Sequence, residues 1–495
     1  MPEIQQAKQK ELNNWKEFEV YTEVHEDGQK TISTRWVITK KITENEETVK
    51  ARLVVRGFEE EDKIQSDSPT AAKSTLRLAM AIAASKGWSS ETIDIKAAFL
   101  QGKQIEREIF VMPPKEIKED GIIWKLNKTA YGLEDASRNW YLSMKEDLLK
   151  LECTQSELDK SFFKFCKDNE LEGILVMHVD DFLFAGSENF NKCVIDPIVS
   201  KYKVGKRKAE NFRYVGLNLH TNSDGSITLE QDDYAAELEE IHLSTKRKSE
   251  KNAPLNKNET DQVKSLAGQL NWLATQTRPD LSYSDLELNM SKQHPNVNDI
   301  LQANKSVKRA KQNTTNIHFP NLGKSSEWEI KVFSDASWGN LPDGSSSAQG
   351  HLIFLTGKEQ NSCPLSWSSN KIKRKVSSSL AAETLSMHDV CDEAIYLNAL
   401  INETVHNNKD KKIPLHVYID NSGLHENIHS TKQVQEKRLR INISEIRRMA
   451  EDGEITKINW IPSCLQLADI LTKKGVNPSK LLEIFSTGKL CFPLS

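Results

Sequence analysis

Two adjacent carboxylates, Asp180 and Asp181, interrupt an apolar run in the segment "GILVMHVDDFLFAG". Neighbouring acidic side chains repel one another unless a cation lies between them, and in proteins that cation is usually a divalent metal ion. Asp is also common in tight hairpin turns, because its short side chain tolerates the backbone angles of the turn. The pair taken alone therefore predicts either a simple turn or a metal site, and the other carboxylates of the chain must decide.

A third candidate ligand, Asp94, lies within "TIDI", a segment typical of a strand, and we expect the strand to end at this residue. If this strand and the hairpin at 173–186 belong to one sheet, three carboxylates converge. Such a set suits two Mg²⁺ ions about 4 Å apart, one activating an attacking hydroxyl and the other neutralising a phosphate leaving group. Mn²⁺ is the alternative ion. The first half of the chain therefore predicts phosphoryl-transfer chemistry.

The second half of the chain contains another acidic set. Its members fall in the first strand, the long helix, the end of the fourth strand and the last helix of one predicted domain: Asp335, Glu383, Asp420 and Asp469. Each taken singly is better explained as a helix cap or turn residue. In a layered α/β sheet these positions can meet at one edge, so we expect a second site for two metal ions.

The elements that must position these residues follow from the sequence pattern. Residues 34–58 predict a β-hairpin, 68–88 a buried helix ending at a glycine, and 137–150 an amphipathic helix. Residues 255–320 predict a helical subdomain. From 328 onwards we expect three strands, a helix, a strand, two helices, a strand and a helix, which form an α/β domain with a five-stranded mixed sheet. The fold class is thus α+β and multidomain.

Composition limits the class of protein. A chain of 495 residues can bury about three hydrophobic cores, and no apolar stretch approaches the roughly 20 residues that span a bilayer. Seven scattered cysteines without C-x-x-C spacing argue against a disulfide framework and a zinc site. We therefore expect a cytosolic or nuclear protein without membrane contact. The formal net charge is −4, but basic runs near 201, 244, 305 and 371 favour a long polyanion as partner.

Ordered motifs across nearly the whole chain carry a family resemblance. They are "KARLVVRGF", "SPTAAKSTLR", "DIKAAFLQG", "AYGLEDASRNWY", "HVDDFLFAG", "YVGLNL", "LAGQLNWLATQTRPDL", "FSDASW", "SWSSNKIKR", "SLAAETLS", "YIDNSG" and "LADILTKK". The first 320 residues resemble the reverse transcriptase of copia-type LTR retrotransposons. Residues from about 328 to 475 resemble the ribonuclease H domain that follows it in the same polyprotein. The resemblance implies a right-hand polymerase with fingers, palm and thumb, followed by a ribonuclease H-like domain.

The resemblance also implies domains and partners. Residues 1–235 would form the fingers and palm, 236–325 a helical thumb or connection, 326–475 the ribonuclease H-like domain, and 476–495 a C-terminal tail. The partners would be an RNA template, a DNA primer, an RNA–DNA hybrid and dNTPs. The protein would act in the cytoplasm, within a virus-like particle for an intact element, or in the nucleus.

The same resemblance assigns roles to individual residues. Asp94 and Asp180 would bind both catalytic ions, and Asp181 would complete the carboxylate cluster. Phe99 resembles the aromatic steric gate that excludes a ribose 2′-OH, although an ordinary core aromatic explains it too. Arg52 and Arg56 resemble residues near the incoming triphosphate, where guanidinium donors match phosphate geometry. A solvated strand face explains the two arginines equally well.

Further matches concern backbone positions and departures. Gly132 lies in the "AYGL" match and would contribute to substrate binding, while Tyr214 and Gly216 resemble the primer grip, with the glycine permitting close backbone approach.

Three departures from the family pattern stand out. His178 replaces the usual hairpin Tyr, for which we expect a core or minor-groove role. Glu134 and Asp135 replace a more common Lys and Gln, and Cys464 lies where many relatives have His.

The sequence therefore predicts an RNA- and DNA-templated DNA polymerase with a fused ribonuclease H. One alternative is a catalytically decayed retrotransposon remnant that only binds nucleic acid, and another is a lone ribonuclease H with a structural polymerase half. Retention of all seven carboxylates favours the enzyme. Because protease, integrase and capsid-knuckle motifs are absent from the sequence, we expect a detached polymerase segment or the remnant of a longer open reading frame.

Overall fold

The computed structural model describes residues 2–43, 46–61, 64–406, 412–431, 434 and 436–491. The helices are α1 Pro2–Glu17, α2 Lys73–Lys86, α3 Ala136–Lys150, α4 Glu188–Phe190, α5 Asp196–Lys201, α6 Asp232–Glu237, α7 Thr245–Ser249, α8 Lys257–Gln276, α9 Ser282–Met290, α10 Val297–Gln312, α11 Ser379–Val405, α12 Ser422–His429, α13 Arg440–Glu451 and α14 Ser479–Thr487. A π-helix spans Asn191–Ile195. Short 3-10 helices span Gly57–Glu59, Ala98–Leu100, Pro279–Leu281, Ser325–Glu327, Lys358–Gln360, Lys437–Leu439, Ser463–Leu465 and Leu467–Leu471.

The strands alternate irregularly with these helices, so the chain is α+β. They are β1 Tyr21–His25, β2 Thr31–Ile32, β3 Thr34–Thr43, β4 Glu46–Val55, β5 Ser90–Asp94, β6 Phe110–Val111, β7 Ile122–Leu126, β8 Thr154–Gln155, β9 Phe162–Lys167, β10 Glu170–His178, β11 Asp181–Gly186, β12 Lys208–Ala209, β13 Asn211–Tyr214, β14 Leu217–Thr221, β15 Ile227–Glu230, β16 Ile317–Phe319, β17 Glu329–Ser337, β18 Ala348–Thr356, β19 Ser362–Lys371, β20 Leu415–Ile419 and β21 Lys457–Trp460.

Two compact units make up the chain. Unit 1 comprises Met1–Ala71 and Thr92–Lys208, and unit 2 comprises Ala72–Glu91 and Ala209–Ser495. The chain therefore leaves unit 1 for helix α2 and returns to it within β5. The domain boundaries expected at 235, 325 and 475 stay predictions.

Unit 1 holds the first acidic set. The predicted hairpin at 34–58 is confirmed as β3 and β4, which pair in register from Thr34 opposite Val55. A six-stranded sheet in the order β12-β5-β11-β10-β9-β8 has the β10–β11 hairpin near its centre. Apolar residues on these strands pack against α3 through Trp140 and Met144, which are fully buried. This core fixes the position of the hairpin that exposes the two aspartates.

Unit 2 contains the predicted helical segment as α8, α9 and α10. Capping boxes begin two of these helices, since Asn256 pairs with Glu259 and Asn296 with Asp299. The segment ends at β16, which completes a four-stranded sheet in the order β13-β14-β15-β16.

The predicted order of elements after 328 is confirmed in unit 2. Its five-stranded mixed sheet has the order β19-β18-β17-β20-β21, in which the first three strands are antiparallel and the last two run parallel to β17. Helix α11 makes the crossover that a parallel neighbour of β17 requires. The segment from 476 was expected as a tail. It contains α14, whose Phe485 is buried against Phe354 and Trp367.

The described helices include none that combines the length and apolar character needed to cross a bilayer.

Candidate active sites

A two-residue turn exposes the paired aspartates of unit 1. His178 is paired with Asp181 across the β10–β11 hairpin, so Val179 and Asp180 form its tip. Val179 has φ +57°, a left-handed conformation that β-branched residues rarely adopt. The indole N–H of Trp140 donates to the Val179 carbonyl at 2.8 Å and holds this strained tip against α3.

Asp94 lies beside this tip, as expected. The backbone N–H of Ile95 donates to the Asp180 carbonyl at 2.8 Å, and the hydroxyl of Thr92 donates to the Phe182 carbonyl at 2.9 Å. These contacts place the end of β5 next to the start of β11. The structure thus brings together the three carboxylates that the sequence identifies in this half.

The charges of these carboxylates act on one another. Burial raises the pKa of Asp181 to about 6, and the negative charges of Asp180 and Asp94 add to the rise. Burial also raises the pKa of Asp180, which Asp94 raises further and Arg52 opposes. Three neighbouring carboxylates whose negative charge is only partly offset by nearby cations are a donor set of the type that binds a hard divalent cation such as Mg²⁺ or Mn²⁺.

Two basic residues of β4 act on the same centre. Arg52 and Lys50 both lower the pKa of Asp180, and they are two residues apart, so they share one face of the strand. The guanidinium of Arg52 lies 5.5 Å from the centre of the Tyr131 ring. Sequence reasoning named Arg52 but missed Lys50, although the alternation of "KARLVV" could have indicated it. Arg56 lies 3.9 Å from Glu59, and its expected role near an incoming triphosphate stays a prediction.

Phe99 and Gly132 both make packing contacts within unit 1. The Phe99 ring is half-buried and lies 5.4 Å from the Tyr131 ring, between the two cores of unit 1. Gly132 has φ +95°, and a Cβ there would lie 2.0 Å from the Val55 carbonyl oxygen. A glycine is therefore required at 132 for the packing of this loop against β4, whatever it contributes to substrate binding.

Two of the departures from the family pattern, Asp135 and His178, lie in unit 1 away from open solvent. Asp135 is buried and accepts a hydrogen bond at 2.8 Å from the guanidinium of Arg107, which also donates to Glu60 at 2.9 Å. An acidic residue at 135 therefore has a cationic partner inside the unit. His178 is half-buried, and burial lowers its pKa while Asp180 opposes the shift.

Tyr214 and Gly216 belong to unit 2, where they end β13 and form its turn into β14. Tyr214 is buried and pairs with Leu217. Gly216 has φ +77°, and a Cβ there would come within 3.3 Å of the Trp272 ring. The left-handed backbone of the turn favours glycine, and a Cβ at this position would also crowd the Trp272 ring.

Unit 2 gathers a second carboxylate cluster. One carboxylate oxygen from each of Asp335, Glu383 and Asp420 lies within 4.8 Å of the others. In the described part of the chain, no other group of three His, Cys, Asp or Glu side chains is gathered as closely. Asp335 comes from β17, Glu383 from the first turns of α11, and Asp420 directly follows β20. Three of the four carboxylates expected at this sheet edge therefore meet.

Burial makes this cluster suited to a cation. It raises the pKa of Asp335 to about 7, with Lys473 opposing the shift and Asp469 and Asp420 adding to it. Burial also raises the pKa of Glu383 well above its usual value, and the two aspartates of the cluster contribute. The Glu383 Oε2 atom is buried without a hydrogen-bond partner. An orphaned carboxylate oxygen beside two others fits a divalent metal ion, which would supply the missing contact.

The expected placement of Asp469 was wrong in one respect. It lies on the 3-10 helix Leu467–Leu471, before the last helix, and its carboxylate binds the ammonium of Lys473 at 2.6 Å. The same ammonium lies 3.5 Å from Asp335. Thr472 donates its hydroxyl to Asp335. Asp469 therefore reaches the cluster through a lysine, which the sequence spacing did not reveal.

Three polar side chains that sequence reasoning missed hold the cluster. Gln466 donates to the Ser334 carbonyl at 3.0 Å, and Ser386 donates to the Asp335 carbonyl at 2.9 Å. Trp460 donates its indole N–H to the Asp420 carbonyl at 2.9 Å. Cys464, at the position where a histidine was considered, is exposed on a neighbouring 3-10 helix.

Comparison with known proteins identifies the chain. Residues 18–254 match the family model described as reverse transcriptase (RNA-dependent DNA polymerase). A retrovirus-related Pol polyprotein from transposon RE1 of Arabidopsis thaliana is 28% identical over 466 residues, covering 89% of this chain and 30% of the relative. Together these matches support a copia-type retrotransposon Pol protein, with the reverse transcriptase family matched over residues 18–254. The chain thus spans about a third of the length of such a Pol polyprotein.

Solved structures agree with this copia-type Pol assignment at the level of fold. A foamy viral protease-reverse transcriptase in complex with double-stranded DNA has a TM-score of 0.55 at 13% identity, covering 93% of this chain and 70% of that one. A foamy viral protease-reverse transcriptase in complex with an RNA/DNA hybrid has a TM-score of 0.52 at 12% identity, covering 93% of this chain and 54% of that one. The copia-type Pol chain therefore has a fold similar to that of a retroviral polymerase.

Proposed function

We propose that this copia-type Pol chain is an RNA- and DNA-templated DNA polymerase with a fused ribonuclease H. It copies retrotransposon RNA into DNA by nucleotidyl transfer and degrades the RNA strand of the hybrid. The observation that carries the proposal is the position of Asp94 beside the Asp180–Asp181 turn, where its negative charge raises the pKa of both Asp180 and Asp181. A second, separate carboxylate cluster in unit 2 supports the second activity.

In the polymerase site Asp94, Asp180 and Asp181 would hold Mg²⁺, or Mn²⁺ in its place. When bound, the ions lower the pKa of the attacking primer hydroxyl and neutralise the phosphate leaving group. Arg52 offers guanidinium donors beside Asp180, where an incoming triphosphate would need them. Phe99, half-buried against Tyr131, would limit the space beside the sugar and exclude a 2′-OH.

In the ribonuclease H site Asp335, Glu383 and Asp420 would hold the metal ion. The ion supplies a Lewis acid for hydrolysis of the RNA phosphodiester. Ser386, Gln466 and Trp460 hold the backbone around the cluster and so keep the carboxylates oriented. Asp469 orients Lys473 toward Asp335.

The finer architecture belongs to the same proposal. Residues 1–235 form fingers and palm, 236–325 a thumb or connection, and 326–475 the ribonuclease H-like domain. Tyr214 and Gly216 act as the primer grip, for which the tight turn at Gly216 is suited. An RNA template, a DNA primer and dNTPs are the substrates, and the cytoplasm is the expected compartment. The foamy viral complexes with DNA and with an RNA/DNA hybrid support these nucleic-acid partners.

Paired assays test the proposal. We expect the full chain to extend oligo(dT) on poly(rA) with Mg²⁺ and to cleave the RNA strand of a preformed hybrid. Asp181→Asn keeps the shape of the side chain but removes a negative charge, so extension should fall by orders of magnitude. Asp420→Asn should do the same to cleavage.

Each variant should keep the other activity within a few-fold of normal, because the two carboxylate sets lie in different units and share no ligand. Loss of RNA cleavage in Asp181→Asn, with the hybrid still bound, would contradict the two-site proposal. A folded wild-type chain that binds primer–template and hybrid but performs neither reaction would be a decayed remnant instead.

A further inference from the structure

Two tryptophans near the unit 2 cluster are exposed. Trp338 is 54% exposed and Trp460 is 48% exposed, whereas Trp328 and Trp367 of the same unit are buried. Exposing an indole forgoes the favourable free energy of burying a large apolar surface. A single exposed apolar residue is normal on a protein surface, but one that lies beside a candidate site can take part in binding there.

Trp460 stands directly beside the carboxylates. It ends β21, where it pairs with Ile419 of β20, and its indole N–H donates to the Asp420 carbonyl at 2.9 Å. The hydrogen bond fixes the ring before any ligand arrives. Because the only polar atom of the side chain is committed, what remains exposed is apolar ring surface.

Trp338 directly follows β17, the strand that carries Asp335. It follows Asp335 by three residues, and its indole N–H donates to the Val376 carbonyl at 3.2 Å. Val376 packs in one apolar group with Ala336 and Ala382, which adjoin Asp335 and Glu383 in the chain. This ring, too, is fixed by a backbone hydrogen bond with apolar surface left exposed.

A basic segment leads into Val376. The run "KIKRK" has four exposed cationic side chains, Lys371, Lys373, Arg374 and Lys375. Arg374 donates to Asn442 at 3.0 Å, and Lys371 lies 3.5 Å from Asp343. Exposed rings beside lysines form a pattern that can bind a nucleic-acid duplex, because its sugars pack on the rings while the cations contact its phosphates.

We propose that Trp338, Trp460, Lys373 and Lys375 form a nucleic-acid-binding surface, here called the aromatic surface, that holds the RNA–DNA hybrid beside the unit 2 carboxylates. This inference rests on the proposed ribonuclease H function and names the residues that bind its substrate. The rings contribute packing that does not depend on sequence, since they contact the sugars along the groove of the hybrid, whose bases are already paired and stacked.

Binding of a fluorescently labelled RNA–DNA hybrid, measured by anisotropy with EDTA present to prevent cleavage, tests the aromatic surface. We expect Trp338→Ala and Trp460→Ala each to weaken hybrid binding by about tenfold, the scale on which removing one aromatic contact weakens nucleic-acid binding. Trp338→Phe should retain most of the affinity, because the ring remains while the N–H is lost. Ile441→Ala is the matched control, since Ile441 is 78% exposed on α13 of the same unit and should bind as wild type does.

Circular dichroism confirms that each variant is folded, and Trp338→Ala decides the question if Trp460→Ala disturbs Asp420. Wild-type affinity in folded Trp338→Ala would overturn the aromatic surface, and so would an equal loss in Ile441→Ala. Failure of the proposed function would look different. A wild-type chain that bound the hybrid through these tryptophans but did not cleave it with Mg²⁺ would leave the surface standing and refute the activity.

Discussion

Lys473 carries the positive charge that compensates the unit 2 cluster in the absence of metal. Its ammonium lies 2.6 Å from Asp469 and 3.5 Å from Asp335, and it is 38% exposed. A divalent cation at the cluster would compete with this ammonium for the same negative charge. Burial alone lowers the pKa of Lys473, but the neighbouring aspartates outweigh it and raise the pKa, so the side chain stays charged.

We therefore expect Lys473→Met to lower the metal-free stability of the protein and to increase the stabilisation gained from Mg²⁺. The loss should be roughly 1–3 kcal/mol, between the values for exposed and buried ion pairs. Thermal unfolding in EDTA and in Mg²⁺ measures both effects. Lys474→Met is the control, because Lys474 binds the separate carboxylate of Glu287 at 3.1 Å. Equal behaviour of the two variants would show that Lys473 does not compensate the cluster.

Asp285 gives unit 2 a dependence of stability on pH. Burial raises the pKa of this α9 side chain to about 7, with Lys292 and Asn289 opposing the shift, and its Oδ1 is buried without a hydrogen-bond partner. The unfolded value is about 3.9, so the folded state binds the proton more tightly. The stabilising contribution is complete below about pH 4 and is lost as the pH rises through about 7.

Asp285→Asn removes this dependence, so we expect the variant to be more stable than wild type at pH 8 by up to a few kcal/mol. The difference should shrink toward pH 4, where the wild-type carboxyl is protonated. Urea unfolding of unit 2 at both pH values is the measurement. Asp261→Asn, on the exposed surface of α8, should change neither midpoint, and a pH-independent effect of Asp285→Asn would rule out the titration of Asp285 as its cause.

At the scale of elements, the β10–β11 hairpin depends on α3 to hold its strained tip. Trp140 donates to the Val179 carbonyl at 2.8 Å, and its ring packs edge-on against Tyr202 at 5.3 Å. Trp140→Phe keeps an aromatic ring but loses the hydrogen bond, worth about 1 kcal/mol. We expect primer extension to fall by at least tenfold while hybrid cleavage remains, as gel assays of both reactions on one preparation would show.

Tyr141→Phe is the matched control for this element. Tyr141 is the next residue of α3 and donates its hydroxyl to the Lys160 carbonyl at 3.1 Å, away from the hairpin tip. Tyr141→Phe loses this bond and also the one that the hydroxyl accepts from Gln155 at 2.6 Å, so it removes at least as much hydrogen bonding as Trp140→Phe does. A comparable loss of extension would therefore mean that general destabilisation of α3 is responsible.

Local pattern was sufficient to predict most elements but not their long-range contacts. Alternation predicted β3 and β4, and the apolar run around two aspartates predicted a hairpin, because these signals lie within a few residues of one another. The contact of Lys473 with Asp335 joins residues far apart in the chain, and no spacing encodes it. Likewise the requirement for glycine at 132 arises from the Val55 carbonyl, which only the folded chain brings near.

At the scale of the whole molecule, the positive charge that could attract a polyanion is confined to local segments. The net charge of −4 gives no general attraction to a polyanion. Several cations of the predicted basic runs already have acidic partners, as Lys201 has Asp147 at 2.6 Å and Lys308 has Glu240 at 3.4 Å. Hybrid binding should therefore depend on a few exposed segments, of which 371–375 supplies the lysines of the aromatic surface.

The salt dependence of hybrid binding tests this arrangement. For about six phosphate contacts, affinity should fall roughly 10³-fold between 50 and 200 mM salt. Replacing both Lys373 and Lys375 by Gln should reduce the slope of log K against log salt by about 1.8, since each lost contact removes about 0.9. Replacing Lys192 and Lys308 by Gln changes the net charge equally, but these lysines are ion-paired with Glu188 at 2.9 Å and Glu240 at 3.4 Å, so the slope should stay near that of wild type. Identical slopes for the two double variants would mean that net charge, rather than the position of the lysines, governs binding.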